Sequence, residues 1–284
     1  MNYLKDYREG EKFVGTYLCK QKQILKTKAG KTYYSLTLQD KTGTADGKIW
    51  ELNNGIANFE PMDYIHCEGM VTSFQGNLQM NISRVRISDE GEYDPTDYVP
   101  CTNKDVGEMF SRILKYVASV QNKYLRKILE MYFVENKEFV DAFKKHSAAK
   151  SVHHGFMGGL LEHTLSVTDM CQYFAEHYPM IHRDLLITAA LFHDMGKIQE
   201  ISDFPMNDYT DDGQLLGHIY IGARCMENAA AQIPNFPPKL KNELVHCILA
   251  HHGKMEFGSP KVPAIMEAMA LHMADNADAK LQTL

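Results

Sequence analysis

The segment LLITAALFHDMGK, residues 185–197, decides the architecture of the second half of the chain. Its first eight residues are almost all apolar and contain no glycine or proline, which predicts a buried helix. The pair His193-Asp194 ends the apolar run, and Gly196 is expected to stop the helix. An imidazole and a carboxylate at the end of a buried helix need a charged partner or a metal ion, so a metal site is expected here.

Further motifs in the same half carry similar residues. Eleven of the thirteen histidines lie between residues 153 and 272. Four motifs place a histidine or an aspartate at the end or on the inner face of a predicted helix: GGLLEHT (158–164), LLGHI (215–219), AHHG (250–253) and LHMADNADAK (271–280). Side chains so placed can converge on one point in a helical bundle. The candidate metal ligands share this placement and are His163, His193, Asp194, His218, His251 and Asp275.

The chemistry of these ligands restricts which metal ions can bind. Neutral imidazole and carboxylate suit a divalent first-row ion such as Mn, Fe, Co, Ni or Zn, and the absence of thiol ligands argues against a structural zinc site. Two ions ~3.5–4 Å apart would clamp a phosphate and generate a hydroxide nucleophile. Asp194 is the expected bridge because its two oxygens can serve both ions. The other ligands divide into two sets, His163, His193 and Asp275 for one ion and His218 and His251 for the other.

Several neighbours of these ligands have two interpretations each. Lys197 is either a solvated surface lysine or, as a catalytic group, a cation that stabilises charge on a phosphate in the transition state. His252 is a ligand, a hydrogen-bond donor behind the ligands or a substrate contact. His153 and His154 either contact substrate or cap the helix that follows. Four further histidines of this half are assigned to packing or surface positions: His177, His182, His246 and His272.

Residues 12–86 predict β-structure instead. Five short runs rich in β-branched and aromatic residues are separated by turn signals, and they span residues 13–20, 31–39, 45–52, 64–72 and 77–87. In the second run Tyr34, Leu36 and Leu38 share one face, as in a strand that packs on a core. Five strands with a small helix between the third and fourth predict a five-stranded OB-fold β-barrel.

A change of composition separates the two halves. Residues 88–104, SDEGEYDPTDYVPCTNK, contain two prolines and several acids and lack apolar periodicity, as is typical of a linker. We therefore predict an OB-fold domain over residues 1–88, a linker over 89–104 and an all-α helical bundle over 105–284. Residues 1–86 carry a net charge of +3 and the rest −9. The first half suits a phosphate backbone, and the acidic half suits metal ions.

The predicted barrel also offers a candidate surface for nucleic acid. Tyr33, Trp50 and Phe74 are candidate platforms for stacked bases, and Lys48 and Arg84 are candidate phosphate contacts. Trp50 shares a strand face with Lys48. The alternative is that the aromatic residues fill the barrel core and the basic ones form a solvated face.

The composition excludes other classes of protein. With 44% hydrophobic and 23% charged residues, the chain reads as globular rather than disordered. No apolar run reaches ~18 residues, so no membrane partner is expected. The six cysteines are scattered and form no CxxC pair, which indicates a reducing compartment and a cytoplasmic protein.

The order H…HD…H…HH…D, with HDMGK as its second element, resembles the HD-domain metallophosphohydrolases. With a preceding OB-fold and the motifs GGLLEHT, LLGHI and AHHG, the chain is similar to the YhaM-type 3′→5′ exoribonucleases. This resemblance implies manganese-stimulated release of nucleoside 5′-monophosphates from the 3′ end of single-stranded RNA or DNA. It also leads us to expect a longer C-terminal tail than the nine residues after Asp275. A second copy of the chain, in a homo-oligomer, is a further candidate partner.

Two other functions compete with this one. The pair His251-His252 is also typical of the related HD-GYP phosphodiesterases, which cleave cyclic dinucleotides. Residues 253–263, GKMEFGSPKVP, lack the GYP triplet, which argues against that function. The third candidate is a nucleic-acid-binding regulatory protein with a vestigial HD site, and the complete set of candidate ligands argues against it.

Overall fold

The chain forms two compact units, Met1–Pro100 and Cys101–Leu284. The structure is a computed structural model, and it describes residues 3–53, 55–150 and 154–282. Each unit has a hydrophobic core of its own.

The first unit is a closed barrel in the order β1-β2-β3-β5-β4. Its strands are β1 (Lys12–Lys26), β2 (Thr32–Asp40), β3 (Gly43–Ile49), β4 (Tyr64–Phe74) and β5 (Asn77–Ile87). Neighbouring strands are antiparallel except for the parallel pair β3 and β5. Five strands in this closed order form an OB-fold, so the fold class predicted for this half is confirmed.

β1 is longer than the apolar pattern predicts. Its first half pairs with β4 and its second half with β2, and the register shifts between Cys19 and Gln21. The second half is rich in lysine and glutamine, and its residues are mostly exposed. The polar composition of this part did not predict a strand. Backbone pairing with β2 maintains the strand there without an apolar face.

The small helix expected between β3 and β4 is not found in the described part of that segment, residues 50–53 and 55–63. Ile56 forms a bridge with Val85 of β5 instead. The amide of Ala57 donates to the Val85 carbonyl at 2.9 Å, and the Val85 amide donates to Gly55 at 2.9 Å. Pairing with β5 therefore satisfies backbone groups that a helix would otherwise have to satisfy.

The first part of the segment predicted as a linker packs on the barrel. The rings of Tyr64 and Tyr93 stack with centroids 4.1 Å apart. Tyr98 and Val99 are buried, and the Gln39 amide donates to the Tyr98 carbonyl at 2.9 Å. The compact unit consequently extends to Pro100 rather than to residue 88. The prolines and acids of this segment suggested a linker without packing contacts. The tyrosines nevertheless bury enough apolar surface to keep the segment packed on the barrel.

The second unit is helical, as predicted for this half of the chain. Its helices are α1 (Val106–Ser119), α2 (Lys123–Phe133), α3 (Lys137–Lys145), α4 (Gly159–His177), α5 (Arg183–Phe192), α6 (Lys197–Glu200), α7 (Asp211–Ala231), α8 (Pro238–Ala250) and α9 (Met266–Leu281). Asp105 caps α1 by accepting from the Glu108 amide at 2.7 Å. The short α6 was not expected from the sequence.

The core of this unit lies around α5. Every residue from Leu185 to Phe192 is buried, as its uninterrupted apolar run predicts. Contacts of α5 with α4, α8 and α9 bring the polar ends of these helices close together. None of the helices within the described ranges is both long and apolar enough to cross a membrane.

Candidate metal centre

The carboxylate of Asp194 lies between two pairs of histidines. Its Oδ2 is 3.3 Å from His163 Nε2 and 3.5 Å from His193 Nε2. Its Oδ1 is 3.5 Å from His218 Nε2 and 3.6 Å from His251 Nε2. Each oxygen thus faces its own pair of nitrogens, which is the arrangement that a bridging carboxylate requires.

Asp275, on α9, completes the first of these pairs. Its Oδ1 is 3.2 Å from His163 Nε2 and 4.0 Å from His193 Nε2. The ligand atoms of these three residues lie within 4.8 Å of one another. Two imidazoles and two carboxylates, counting Asp194, can hold one divalent ion here.

A different observation, unpaired buried atoms, indicates that the pair His218 and His251 can bind a cation. Three buried atoms at this position have no hydrogen-bond partner among the described residues: Asp194 Oδ1, His218 Nε2 and His251 Nε2. Leaving a buried polar atom unpaired costs about 1–3 kcal/mol. A divalent cation would satisfy all three atoms at once. His252 joins this group, since its ligand atom lies within 4.8 Å of those of His218 and His251.

Backbone carbonyls orient three of the histidine rings. The Nδ1 atoms of His193, His251 and His252 lie 2.8 Å from the Ala190 carbonyl oxygen, 2.7 Å from that of Ile248 and 2.9 Å from that of Phe257, respectively. A carbonyl can only accept, so each Nδ1 carries the proton and donates it. The lone pair of each ring is therefore on Nε2, the nitrogen available to a metal.

Carboxylates orient the other two rings. Asp278 Oδ2 lies 2.7 Å from His163 Nδ1, and Glu200 Oε1 lies 2.9 Å from His218 Nδ1. Both acids are buried. The sequence analysis missed them. Asp278 could have been found from its position three residues after Asp275 on the same predicted helix, which puts both on one face.

Two glycines let the backbone come close enough to build the centre. A Cβ on Gly196 would lie 2.1 Å from the His218 carbonyl oxygen, so only glycine permits this approach. Gly196 was expected to stop the helix, as a glycine in a left-handed conformation does. Its φ is −63°, so it does not end the helix in that way. Gly217 has φ 73° and interrupts α7, and the amide of His218 then donates to Glu200 Oε1 at 2.9 Å.

Lys197, the first residue of α6, places a positively charged side chain at this centre. Its Nζ is 2.7 Å from Asp194 Oδ2. Burial lowers the pKa of Lys197, but the charge and hydrogen bond of Asp194, together with the charges of Asp275 and Glu200, raise it above its ordinary value. Burial raises the pKa of Asp194, yet Lys197 and the histidines hold it well below its ordinary value. Both groups are therefore charged at neutral pH.

The histidines differ in protonation. Burial lowers the pKa of His193 to about 4. Burial and the neighbouring His251 lower the pKa of His252 to about 4 as well. Both rings are neutral at pH 7 and offer a free nitrogen. Burial also lowers the pKa of His163, but its carboxylate partners, Asp194 first, raise it well above the ordinary value. A cation that binds His163 must displace that proton.

A cavity of about 510 Å³ opens onto the centre. His163, Lys197, His218 and Asp275 are among the residues that line it. Concave sites of this size hold a small molecule or one unit of a polymer.

Two further histidines lie next to the centre. His154 is buried and its Nε2 lies 2.9 Å from Asp278 Oδ2, so it contacts the carboxylate behind His163 rather than a surface open to substrate. His272, assigned to packing or surface, donates from Nδ1 to the His251 carbonyl at 2.9 Å and lines the cavity. His153 lies outside the described residues.

The barrel brings three of the five candidate nucleic-acid residues together. The Tyr33 and Trp50 rings stack on each other at 4.6 Å, and Trp50 Nε1 donates to Asn81 at 3.0 Å. Lys48, on the same face, is paired with Asp46 at 2.6 Å and bonds Ser35 at 2.7 Å. Trp50 remains 39% exposed, which leaves ring surface for a base.

The other two candidates lie elsewhere on the barrel. Phe74 is 61% exposed at the end of β4, in a groove that it shares with Leu4 and Thr42. Arg84, also exposed, is 3.9 Å from Glu68.

Removing the carboxylate behind His163 should weaken metal binding. Loss of such a hydrogen-bond partner typically lowers metal affinity about 10–100-fold. We expect this loss for Asp278→Ala, measured by calorimetric titration of Mn²⁺ into the metal-free protein. Lys280→Ala, an exposed change on the same helix, is the control. Unchanged affinity in a folded Asp278→Ala protein would show that His163 needs no such support.

Comparison with known proteins places this centre in a family. The HD domain family matches residues 160–280. The chain is 32% identical over 257 residues to the 3′-5′ exoribonuclease YhaM of Geobacillus sp. (strain WCH70), covering 90% of this chain and 78% of that protein. It is 32% identical over 262 residues to the same-named protein of Bacillus subtilis (strain 168), covering 90% and 81%.

Among solved structures, the chain is similar to the second OB-fold domain of replication protein A from Methanococcus maripaludis. That domain shares 20% sequence identity and a TM-score of 0.26, and the match covers 32% of this chain and 98% of the domain.

Proposed function

The chain belongs to the family of YhaM 3′-5′ exoribonucleases, and from this membership we propose that it removes nucleoside 5′-monophosphates from the 3′ end of single-stranded RNA. Single-stranded DNA is proposed as a second substrate. The observation that carries the proposal is the Asp194 carboxylate, each oxygen of which faces a separate pair of histidine nitrogens.

The proposed cofactor is a pair of divalent transition-metal ions. Manganese is our first choice, and Fe, Co, Ni and Zn suit the same nitrogen and oxygen ligands. One ion would use His163, His193 and Asp275, the other His218, His251 and His252, with Asp194 shared. When bound, such ions neutralise a phosphate and lower the pKa of water for attack on phosphorus.

The chain's own residues hold and orient the scissile phosphate. Lys197 is charged and lines the cavity beside Asp194. From there it can donate to a phosphate oxygen and stabilise the charge that develops on it. Glu200 and Asp278 keep the His218 and His163 rings in place, so little reorganisation is needed during the reaction. The 3′-oxygen of the penultimate nucleotide is the leaving group.

The barrel is proposed to bind the strand upstream of the reacting end. The exposed surface of Trp50, backed by Tyr33, suits stacking on an unpaired base. We also propose the cytoplasm as the location, since all six cysteines are free, as in a reducing compartment.

Metal removal tests the cofactor directly. After dialysis against EDTA, we expect hydrolysis of RNA to stop and to return on addition of Mn²⁺. The melting temperature should fall as well, because a ligand at 100 times its Kd stabilises the folded state by about 2.7 kcal/mol. Calcium, which prefers all-oxygen sites, is the control addition. Full activity in the metal-free protein would contradict the proposed centre.

A change on the barrel tests the strand-binding role. Trp50→Ala should weaken binding of a long RNA by about 1–3 kcal/mol, the usual contribution of one stacked base. The rate of cleavage of a dinucleotide should not change, because so short a substrate does not need the barrel. Trp50→Phe retains a ring and is the matched control. An equal loss of activity on long and short substrates would argue against a separate strand-binding surface.

A further inference from the structure

Two aromatic side chains line the cavity at the metal centre without taking part in that centre. Tyr209 is 46% exposed and Phe257 is 56% exposed, and both face the cavity that contains Lys197 and Asp275. A single exposed aromatic residue needs no explanation. Two that line one nucleotide-sized cavity beside a phosphate-binding centre point to recognition of a planar group.

Both rings are attached to segments that also hold the metal centre. Tyr209 forms a bridge with Ile201, and the next amide, that of Thr210, donates to the Glu200 carbonyl at 2.9 Å. Phe257 accepts the Nδ1 proton of His252 on its carbonyl at 2.9 Å. The backbone that carries each ring is thereby tied to residues of the metal centre, as a subsite for one substrate unit requires.

A lysine accompanies each ring. Lys150 Nζ is 5.9 Å from the centroid of the Tyr209 ring, and Lys254 Nζ is 5.4 Å from that of Phe257. Cations next to exposed rings are the combination that binds single-stranded nucleic acid, because the rings stack on bases and the cations attract phosphates.

We propose that Tyr209 and Phe257 are base-stacking residues that hold the base of the 3′-terminal nucleotide while its phosphate lies at the metal centre. The proposal rests on the proposed function and adds a base-binding subsite to it. The ligand class is a nucleoside 5′-monophosphate, which is also the product. Stacking accepts every base, so this subsite would impose little sequence preference.

The test compares adenosine 5′-monophosphate with ribose 5-phosphate, which has the same sugar phosphate but no base. Calorimetry on the full-length, manganese-loaded protein should show at least about tenfold tighter binding of the nucleotide. Tyr209→Ala and Phe257→Ala should each weaken nucleotide binding about tenfold and change ribose 5-phosphate binding less than about twofold. Tyr209→Phe should bind like the unmodified protein. Tyr178→Ala, a 48% exposed tyrosine outside this cavity's lining, is the matched control.

Equal affinity of the unmodified protein for the two ligands overturns the proposal, whether or not the variants fold. Equal weakening of both ligands in the alanine variants, or no weakening, also overturns it. Preference for the nucleotide that depends on both rings, in a protein that does not shorten linear RNA, supports the subsite and refutes the exonuclease. The two proposals therefore fail separately.

Discussion

Asp194→Ala is expected to lower the rate of RNA hydrolysis by about three orders of magnitude or more, because the substitution removes several kcal/mol of transition-state stabilisation. Oδ1 and Oδ2 of Asp194 face different histidine pairs, so one substitution disrupts both halves of the centre. Lys197 also loses the partner that lies 2.7 Å away.

Binding of RNA should survive this substitution. The proposed strand-binding surface is on the barrel, in a separate compact unit from Asp194. The measurement is single-turnover hydrolysis of end-labelled RNA together with its Kd, and the manganese content of the purified variant. Asp212→Ala, an exposed aspartate of the same unit, is the control for loss of a carboxylate.

A parallel loss of affinity and activity in folded Asp194→Ala protein would contradict the separation of roles. It would mean that the centre itself provides the main hold on the strand. Residual hydrolysis within about tenfold of the unmodified rate would contradict the bridging role, since loss of a carboxylate shared by two ions should lower the rate much more than that.

The sequence predicted the features that depend on local pattern. Alternating apolar residues such as Leu36 and Leu38 predicted strands of the barrel, and both are buried in its core. The apolar run over 185–192 predicted the buried helix that presents His193 and Asp194. These signals are local because burial of one face of a strand, or of a whole helix, determines the spacing of apolar residues along the sequence.

Features that depend on tertiary contacts were missed. Glu200 looks like an ordinary acid on a helix, and only the fold shows that it supports His218 of the centre. The same holds for Tyr98, which lies in an acidic, proline-containing segment and yet is buried on the barrel. In each case the partner is far away in the chain, so no local period reveals it.

Linear RNA should be degraded by this protein while a circular RNA of the same sequence stays intact. The cavity at the centre measures about 510 Å³, which is enough for one terminal nucleotide. A circle has no end to place there. Degradation should also stop at a duplex, because a surface that stacks unpaired bases cannot seat paired ones.

The products identify the bond that breaks. Attack on phosphorus from the side opposite the 3′-oxygen of the penultimate nucleotide breaks the bond to that oxygen and leaves the phosphate on the 5′-oxygen of the released unit. Chromatography of the digest should therefore show nucleoside 5′-monophosphates and a new 3′-hydroxyl on the shortened strand. Asp194→Ala protein, incubated in parallel, controls for a contaminating nuclease. Degradation of the circle at the rate of the linear RNA would require a cut within the strand, and release of 3′-monophosphates would require the 5′-oxygen to leave. Either result would refute a 3′→5′ exonuclease, because such an enzyme needs a free 3′ end and the proposed reaction cannot produce 3′-monophosphates.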